Sequence, residues 1–220
     1  MTRKLEAGRV PARSGRAGSA LVFLHGYGAD GADLLGLAEP LAPHMPDTMF
    51  LAPDAPEPCA GNPFGRQWFP IPWLDGSPQA AAEAGLDRAA EDLDAFLDGV
   101  LAEVGIAPDR LFLFGFSQGA MMALHVAPRR SAAVGGIVAC SGRLLRPEAL
   151  AREAVVRPPV LLMHGDADQM VPFEDMGKAG RALDAAGFEV WAHVMRGTGH
   201  GIAPDGLSAA LGFVRGRLAG

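Results

Sequence analysis

Six short apolar runs alternate along this chain with longer segments of helical periodicity, and this alternation constrains the fold more than any other feature. Most of the runs are continuously apolar, which is typical of strands that are buried on both faces of a parallel sheet. The predicted strands cover residues 20–25, 48–53, 111–116, 134–140, 159–164 and 189–195.

The segments between these strands carry apolar residues at the spacing of amphipathic helices. The clearest case is residues 83–104, where acidic residues flank an apolar stripe and are expected to be solvated. Further helices are predicted at residues 32–44, 118–128 and 173–186 and from Pro204 onward. The β–α order implies right-handed crossovers and predicts one α/β domain over residues 1–220, with a mainly parallel central sheet and helices on both faces.

Composition limits the partners of such a domain. The 220 residues are 49% hydrophobic and 20% charged, and the net charge is −6. An acidic chain without a basic cluster is not expected to bind nucleic acid or an anionic membrane surface. Four arginines between residues 3 and 16 are predicted to lie in an exposed turn region. The apolar run at residues 20–24 is too short to span a bilayer, so we expect neither stable membrane insertion nor a secretory signal.

The chain has two cysteines, Cys59 and Cys140. Two are too few for a disulfide framework, and reduced thiols are typical of a cytoplasmic protein. Neither has the CxxC spacing or the neighbouring histidines of a metal site. The sequence therefore predicts a cytoplasmic protein without a structural metal.

Residues 53–79 break the strand–helix alternation. They contain seven prolines and two of the three tryptophans, Trp68 and Trp73. A long irregular segment inside a compact domain is typically a functional loop or lid. The alternative is a surface loop whose aromatic side chains merely pack onto the core, and the sequence leaves both open.

The sequence Gly-Phe-Ser-Gln-Gly at residues 115–119 joins a predicted strand to a predicted helix. GxSxG in this context is the pattern of a nucleophile elbow, in which small flanking residues permit a sharp, strained turn. The start of the helix also favours developing negative charge. The alternative is an N-cap serine, but a cap does not require glycine on both sides. We therefore predict that Ser117 is a nucleophile.

A serine nucleophile needs a base and an acid that orients it, expected here in the order Ser, Asp or Glu, His. His200 lies in a glycine-rich loop before the last predicted helix and is the predicted base. Asp168 is the predicted acid, whereas Asp166 could instead satisfy the backbone of its turn. The histidines within strands or helices are predicted to be structural: His25, His125, His164 and His193.

Attack by such a serine generates an oxyanion, which also needs preorganised hydrogen-bond donors. One is expected to be the backbone N–H of Gln118, the residue after the nucleophile. The other is expected after the first long strand, where the glycines around Tyr27 let the backbone approach a ligand closely. The N–H of Tyr27 is the candidate.

These residues together resemble the α/β-hydrolase superfamily and, more narrowly, the phospholipase/carboxylesterase family, which includes acyl-protein thioesterases and small bacterial carboxylesterases. The resemblance spans residues 20–205. It rests on Leu24-His25-Gly26-Tyr27-Gly28, Gln67-Trp68-Phe69, Gly115-Phe116-Ser117-Gln118-Gly119-Ala120-Met121, His164-Gly165 with Asp168 and Val171-Pro172, and Gly199-His200.

This resemblance implies an α/β-hydrolase fold without a large cap domain and a triad of Ser117, Asp168 and His200. It implies that Tyr27 and Gln118 supply the oxyanion N–H groups and that neither a metal nor a cofactor is needed. The implied activity is hydrolysis of small-molecule esters with short to medium acyl chains through an acyl-enzyme on Ser117. Acyl-protein thioesterase or lysophospholipase activity is the alternative. In a different class, a non-catalytic binding protein can use the same fold. A homodimer stays open.

The apolar acyl cleft is the least determined part of the predicted site. Five side chains are predicted to line it, although each would fit equally in the core: Trp68, Phe69, Ile71, Trp73 and Met170. Arg143 departs from the family pattern because it places a charge near this cleft. This charge leaves the identity of the substrate undetermined, but it does not affect the predicted catalytic chemistry.

Overall fold

A seven-stranded sheet forms the centre of the fold. The structure, a computed structural model, describes residues 2–59 and 62–219. Its strands are β1 (Ala7–Val10), β2 (Ser19–Leu24), β3 (Thr48–Pro53), β4 (Glu57–Cys59), β5 (Asn62–Gln67), β6 (Leu111–Phe116), β7 (Gly136–Cys140), β8 (Val160–Gly165) and β9 (Val190–Met195). The sheet order is β1-β3-β2-β6-β7-β8-β9, and β4 and β5 form a separate hairpin. Every neighbouring pair in the sheet is parallel except β1 and β3.

Helices cover both faces of this sheet. They are α1 (Gly31–Leu35), α2 (Ala38–Leu41), α3 (Pro72–Asp75), α4 (Gln79–Val104), α5 (Gln118–Val126), α6 (Pro147–Glu153), α7 (Glu174–Ala185) and α8 (Pro204–Leu218). Helices α4 to α7 pack on one face, and α1, α2 and α8 pack on the other. The predicted three-layer α/β fold is confirmed, and no large cap covers the sheet within the described residues.

The six predicted strands are confirmed to within two residues at each end, and all of them except the edge strand β9 are largely buried. Strands β2 and β8 are buried at every position, and β6 is buried at all but its last. Alternate side chains enter the two core layers: Val22 faces α4 and α5, whereas Phe23 stacks on Phe50 and meets Phe114 edge-on on the opposite face. This burial on both faces holds the carboxyl ends of the parallel strands at one fixed edge.

The amino-terminal region differs from its prediction. Instead of an exposed turn alone, it contains the edge strand β1, which pairs antiparallel with β3. Arg3 bonds both Asp92 on α4 and Glu57 on β4, so it ties the terminus to the body. A four-residue edge strand with half-exposed side chains lacks the continuous apolar signal that revealed the other strands.

The segment at residues 53–79 is less irregular than its sequence suggests. Among its described residues, the strands β4 and β5 and the one-turn helix α3 account for about half. A two-stranded ribbon tolerates proline because its outer edge needs no N–H donor. The single helix predicted at residues 32–44 is also divided, into α1, α2 and a 3-10 turn at Ala42–His44. None of the helices described is long and apolar enough to cross a membrane.

His125 lies in α5 among buried residues. Burial, reinforced by Arg129 and Arg146, lowers its pKa from 6.5 to about 4. Between these two values the unfolded chain binds a proton that the folded chain does not. The free energy of unfolding therefore falls as the pH drops from about 6.5 to about 4.

We expect His125→Met to remove this part of the pH dependence. The loss of unfolding free energy between pH 7 and pH 4.5, measured by urea denaturation, should shrink by about 2 kcal/mol relative to the parent protein. The exposed His44, replaced by glutamine, is the control and should leave the loss as in the parent. An equal loss in His125→Met and in the parent would contradict the assignment.

Candidate active site

Ser117 sits at the turn between β6 and α5, with φ 54° and ψ −116°. Such a conformation is strained for a residue with a side chain, and it is typical of functional turns. Ser117 occupies the N-cap position of α5, but its hydroxyl makes no capping bond. The capping alternative therefore does not account for the serine. The turn instead directs the hydroxyl out of the sheet edge.

The glycines of the motif permit close backbone contacts. A Cβ on Gly119 would lie 1.9 Å from the carbonyl oxygen of Leu24 in β2. A Cβ on Gly115 would lie 2.3 Å from the carbonyl oxygen of Gly119. The helix start thus packs against two strands with no room for side chains, and this contact holds the strained turn in place.

Three predicted residues from separate loops meet at this turn. The Nε2 atom of His200 lies 3.0 Å from Ser117 Oγ, and its Nδ1 atom lies 2.7 Å from Asp168 Oδ2. Because the carboxylate can only accept, the Nδ1 atom carries the proton and Nε2 is left to accept one from the serine. The Phe116 ring packs against the imidazole with a centroid distance of 4.9 Å. The arrangement is that of a nucleophile, a base and an orienting acid.

Asp168 is buried, and its carboxylate is fully bonded. The Oδ1 atom accepts the N–H groups of Met170 at 2.8 Å and Val171 at 2.9 Å, while Oδ2 faces His200. Burial acts to raise the pKa of this carboxyl, but the hydrogen bonds from His200 and from the two backbone N–H groups outweigh it and lower the pKa. Asp168 therefore stays ionised at neutral pH.

Asp166, the alternative acid, has a different partner. Its Oδ1 atom accepts the N–H of Gly197 at 2.6 Å, in the loop that leads to His200. The imidazole of His164 lies beside the acid, with Nε2 3.0 Å from the Val171 carbonyl and 3.3 Å from Asp168 Oδ2. Asp166 and His164 therefore lie close to Asp168 and His200, but neither forms a hydrogen bond with Ser117.

The other histidines are structural, as predicted. His25 accepts the Ala55 N–H on Nε2 at 2.9 Å, so its proton is on Nδ1, which donates to the Gly26 carbonyl at 2.7 Å. Burial lowers its pKa and keeps the ring neutral. His193 bonds Asp205 at 2.8 Å on the outer strand β9. Within residues 2–59 and 62–219, no three His, Cys, Asp or Glu side chains cluster closely enough to hold a metal ion.

The loop after β2 lies directly against the nucleophile. A Cβ on Gly26 would be 3.3 Å from the Ser117 Cβ, which brings the peptide before Tyr27 next to the turn. Hydrogen bonds of 2.8 Å join Gly28 and Ala29 to Arg66 in β5, and they fix the loop. The Tyr27 N–H has no acceptor among the described residues. Burial and a hydrogen bond with Cys59 raise the pKa of the Tyr27 side chain. The backbone N–H of Tyr27 is thus available to a substrate oxygen, and the side chain is itself half-buried.

Gln118 has a second role that the sequence did not reveal. Its N–H is at the start of α5, where no preceding turn of helix supplies an acceptor. Its buried side chain accepts the Trp68 N–H at 2.8 Å and donates to the Phe69 carbonyl at 2.7 Å. One amide therefore connects the elbow to the segment at residues 53–79. The motif pattern predicted only a role for the backbone N–H, because the partners of the side-chain amide come from a distant segment.

A groove of about 200 Å³ includes in its wall Met121, which follows Ser117 by one helical turn. Three of the predicted cleft residues are in its wall: Phe69, Ile71 and Trp73. The groove also contacts residues that the sequence did not single out: Leu86, Met121, Leu145 and, among polar ones, Gln79, Glu83 and Arg146. These come from α4, α5 and the start of α6, which meet only in the folded chain.

The other two predicted cleft residues lie outside the wall of this groove. The Trp68 ring is fully buried beneath the site, where its Nε1 donates to the His25 carbonyl at 3.0 Å. A tryptophan in the core uses its N–H in this way. Met170 is 62% exposed on the loop next to Asp168 and is not part of the groove wall.

The close contact at Gly119 generates a test of the elbow. Gly119→Ala places a methyl group against the Leu24 backbone, which has no flexible side chain to move aside. We expect a loss of more than about 3 kcal/mol in the free energy of unfolding, measured by urea denaturation.

Gly99→Ala is the matched control. Gly99 lies in α4 with no atom near its Cβ position, so alanine should raise the unfolding free energy by about 0.5–1 kcal/mol. A Gly119→Ala protein as stable as the parent would contradict the packing described.

The Gln118 amide provides a further test. Gln118→Leu leaves the backbone N–H of Trp68 and the backbone carbonyl of Phe69 buried without a hydrogen-bond partner. Each unsatisfied group is expected to lower the free energy of unfolding by about 1–3 kcal/mol. We expect thermal and urea unfolding to show a total loss of about 3 kcal/mol. The exposed Gln169, replaced by leucine, should change the unfolding free energy by less than about 0.5 kcal/mol. Equal stabilities of the two variants would refute the connecting role.

Comparison with known proteins agrees with this geometry. The phospholipase/carboxylesterase family model matches residues 6–217. A probable carboxylesterase of Oryza sativa subsp. japonica is 31% identical, over 95% of this chain and 81% of its own length. Acyl-protein thioesterase 1 of Saccharomyces cerevisiae is 30% identical, over 94% of this chain and 96% of its own.

Among solved structures, the crystal structure of esterase PE8 is similar over 97% of this chain and 99% of its own, with 45% identity and a TM-score of 0.92. The match thus extends over the sheet, the helices and every loop that meets at Ser117. The chain is a hydrolase of the phospholipase/carboxylesterase family, with the α/β-hydrolase fold.

Proposed function

We propose that the protein is a serine carboxylesterase that hydrolyses small-molecule esters with short to medium acyl chains through an acyl-enzyme on Ser117. The observation that carries this proposal is the hydrogen-bond chain from Asp168 to His200 to Ser117, with distances of 2.7 and 3.0 Å. Family membership supports it. The non-catalytic reading loses support because all three side chains are present and in contact.

In the first half-reaction, Ser117 Oγ attacks the ester carbonyl while His200 Nε2 takes its proton. Asp168 accepts the Nδ1–H and stabilises the resulting imidazolium. The carbonyl oxygen becomes an oxyanion and accepts the N–H groups of Tyr27 and Gln118. Donors that are already oriented stabilise the transition state, and one such donor is worth about 3 kcal/mol.

Collapse of the tetrahedral intermediate breaks the bond to the leaving alcohol, which takes the proton from His200. In the second half-reaction His200 removes a proton from water, and the hydroxyl attacks the acyl-enzyme carbonyl. The second intermediate expels Ser117 Oγ, which recovers the proton from His200. The acid leaves, and the site returns to its initial state without a cofactor.

The substrate class follows from the groove. Its wall of Phe69, Ile71 and Trp73 is apolar and also contains Met121, which follows Ser117 by one helical turn. Apolar area removed from water on binding contributes about 25 cal/mol per Å². An acyl chain of a few carbons can occupy this space, which supports short- to medium-chain esters.

Thioesterase or lysophospholipase activity is the second candidate. It is favoured by the identity of 30% with an acyl-protein thioesterase of yeast. The same triad can cleave an oxygen ester or a thioester, so contacts with the leaving group decide which of the two is the preferred substrate. Comparing kcat/KM for an oxygen ester and a thioester with the same acyl group separates the two, and a marked preference for the thioester would support the alternative.

We further propose that the protein acts in the cytoplasm. Cys59 and Cys140 are both free and buried, and burial raises the pKa of the Cys140 thiol to about 12. Such thiols are unreactive core residues and fit a reducing compartment. The homodimer that the sequence leaves open stays a prediction.

A fluorophosphonate probe tests the catalytic proposal directly, because it labels only activated serines. Peptide mass spectrometry should find the label on Ser117, and Ser117→Ala should abolish it. We expect His200→Ala and Ser117→Ala to lower kcat on p-nitrophenyl acetate by at least about 10³-fold.

His193→Ala is the matched control, since this histidine bonds a different carboxylate and lies away from the serine. It should retain labelling and turnover. A folded parent protein that takes no label and is inert toward activated esters would favour the binding-protein reading.

A further inference from the structure

We propose that Arg143 and Trp73 form a latch, a cation–π contact that fixes the outer wall of the groove and sets its preference for longer acyl chains. The inference rests on the proposed esterase function. It concerns the residue that departs from the family pattern and that the mechanism does not use. Arg143 touches neither the reacting atoms nor the triad, so it is a positioning residue.

The wall itself needs support. Trp73 belongs to α3, a helix of only four residues, and its side chain is 65% exposed while it lines the groove. A single helical turn is not stable alone, and an exposed ring gains little from burial. The turn ends at Gly76, whose φ of 72° marks a sharp change in chain direction. Contacts from outside α3 must therefore hold the ring.

Arg143 supplies such a contact. Its guanidinium carbon lies 5.3 Å from the centroid of the Trp73 ring, within the range of a cation–π interaction. Its Nη2 atom bonds Asp175 on α7 at 2.9 Å. Asp175 is mostly buried and also bonds Lys178 at 2.8 Å, so one carboxylate serves two cations. The Arg143 guanidinium is thus anchored to α7 by its ion pair with Asp175, and it still makes the cation–π contact with the Trp73 ring.

The backbone of Arg143 is held next to the turn that contains Ser117. The preceding Gly142 packs so closely that a Cβ there would lie 2.9 Å from the Ser117 carbonyl oxygen and 2.6 Å from the Ala120 Cβ. Ser141 is fully buried with φ 51°, a strained conformation held by this packing. The backbone of Arg143 therefore has a set position relative to Ser117, and through the latch so does the Trp73 ring.

Chain-length preference is the property that this arrangement controls. We expect an octanoyl chain on Ser117 to reach the Trp73 part of the groove wall, whereas an acetyl group is too short to do so. If the Trp73 ring is no longer held in place, only the longer acyl chain loses apolar contact with the groove wall. The effect should therefore appear mainly in KM, and in the ratio of kcat/KM for p-nitrophenyl octanoate to that for p-nitrophenyl acetate.

The experiment measures this ratio in Arg143→Met, Trp73→Ala and the double variant. We expect Arg143→Met to lower the ratio about three-fold, the size of an exposed cation–π contact. Trp73→Ala should lower it at least as much, and the double variant should equal Trp73→Ala because the two residues act as one unit. Arg143→Lys keeps a cation over the ring and should retain most of the ratio.

A second arginine–tryptophan pair provides the matched control. Arg217 lies 4.5 Å from the Trp191 ring and 2.9 Å from Glu189, on β9 and α8 away from the groove. Arg217→Met and Trp191→Ala remove an equivalent contact and should leave the ratio as in the parent. Trp73→Ala leaves the Arg143–Asp175 ion pair intact, so it keeps the proposal testable should Arg143→Met fail to fold.

Three results would overturn the latch: an unchanged ratio in Trp73→Ala or Arg143→Met, additive losses in the double variant, or a loss in Arg143→Met confined to an ester with a terminal carboxylate. The last would mean that the cation binds substrate. Fluorophosphonate labelling of each variant separates this failure from failure of the esterase function. A labelled Ser117 with an unchanged ratio refutes the latch alone, whereas an unlabelled parent refutes the function.

Discussion

The strained turn at Ser117 is the constraint on which the rest of the site depends. A serine with φ 54° is unfavourable by itself, and it persists because Gly115 and Gly119 let the helix start press against the backbone of two buried strands. The parallel sheet is the support for this contact, since β2 and β6 are paired with each other and buried on both faces. The nucleophile is thereby presented at the edge where the carboxyl ends of the strands meet.

His200 and Asp168 are held at the same edge mainly through hydrogen bonds, with the Phe116 ring packed against the imidazole. Asp168 is buried with three donors around it, two from its own turn and one from His200. Its charge is therefore stabilised before any substrate arrives, and it sets both the tautomer and the orientation of the imidazole. Asp166 holds the loop that carries His200. Asp168 thus orients the His200 ring, whereas Asp166 holds the backbone of the loop that carries this histidine.

The segment at residues 53–79 is joined to this edge at two points. The Gln118 amide bonds the backbone of Trp68 and Phe69 from beneath, and Arg143 meets the Trp73 ring from the outside. Both attachments start from residues within or next to the nucleophile turn. The groove wall and the nucleophile are thus parts of one connected structure, which explains how a proline-rich segment with a one-turn helix can serve as a binding surface.

The sequence by itself determined the buried strands, the long helices and the identity of the three residues that meet at the elbow. These depend on local patterns: continuous apolar runs, helical periodicity, and glycines and polar residues placed just after strands. It did not determine the short edge strand β1, the hairpin β4–β5 or the helix α6, because each depends on a partner rather than on its own apolar pattern. Nor did it separate the buried Trp68 from the exposed Trp73 and Met170, since all three are apolar residues outside the predicted strands and helices. Only the tertiary structure decided which of them lines the groove, because the groove is formed by side chains from α3, α4, α5 and the start of α6 that are distant along the chain and adjacent only in the folded state.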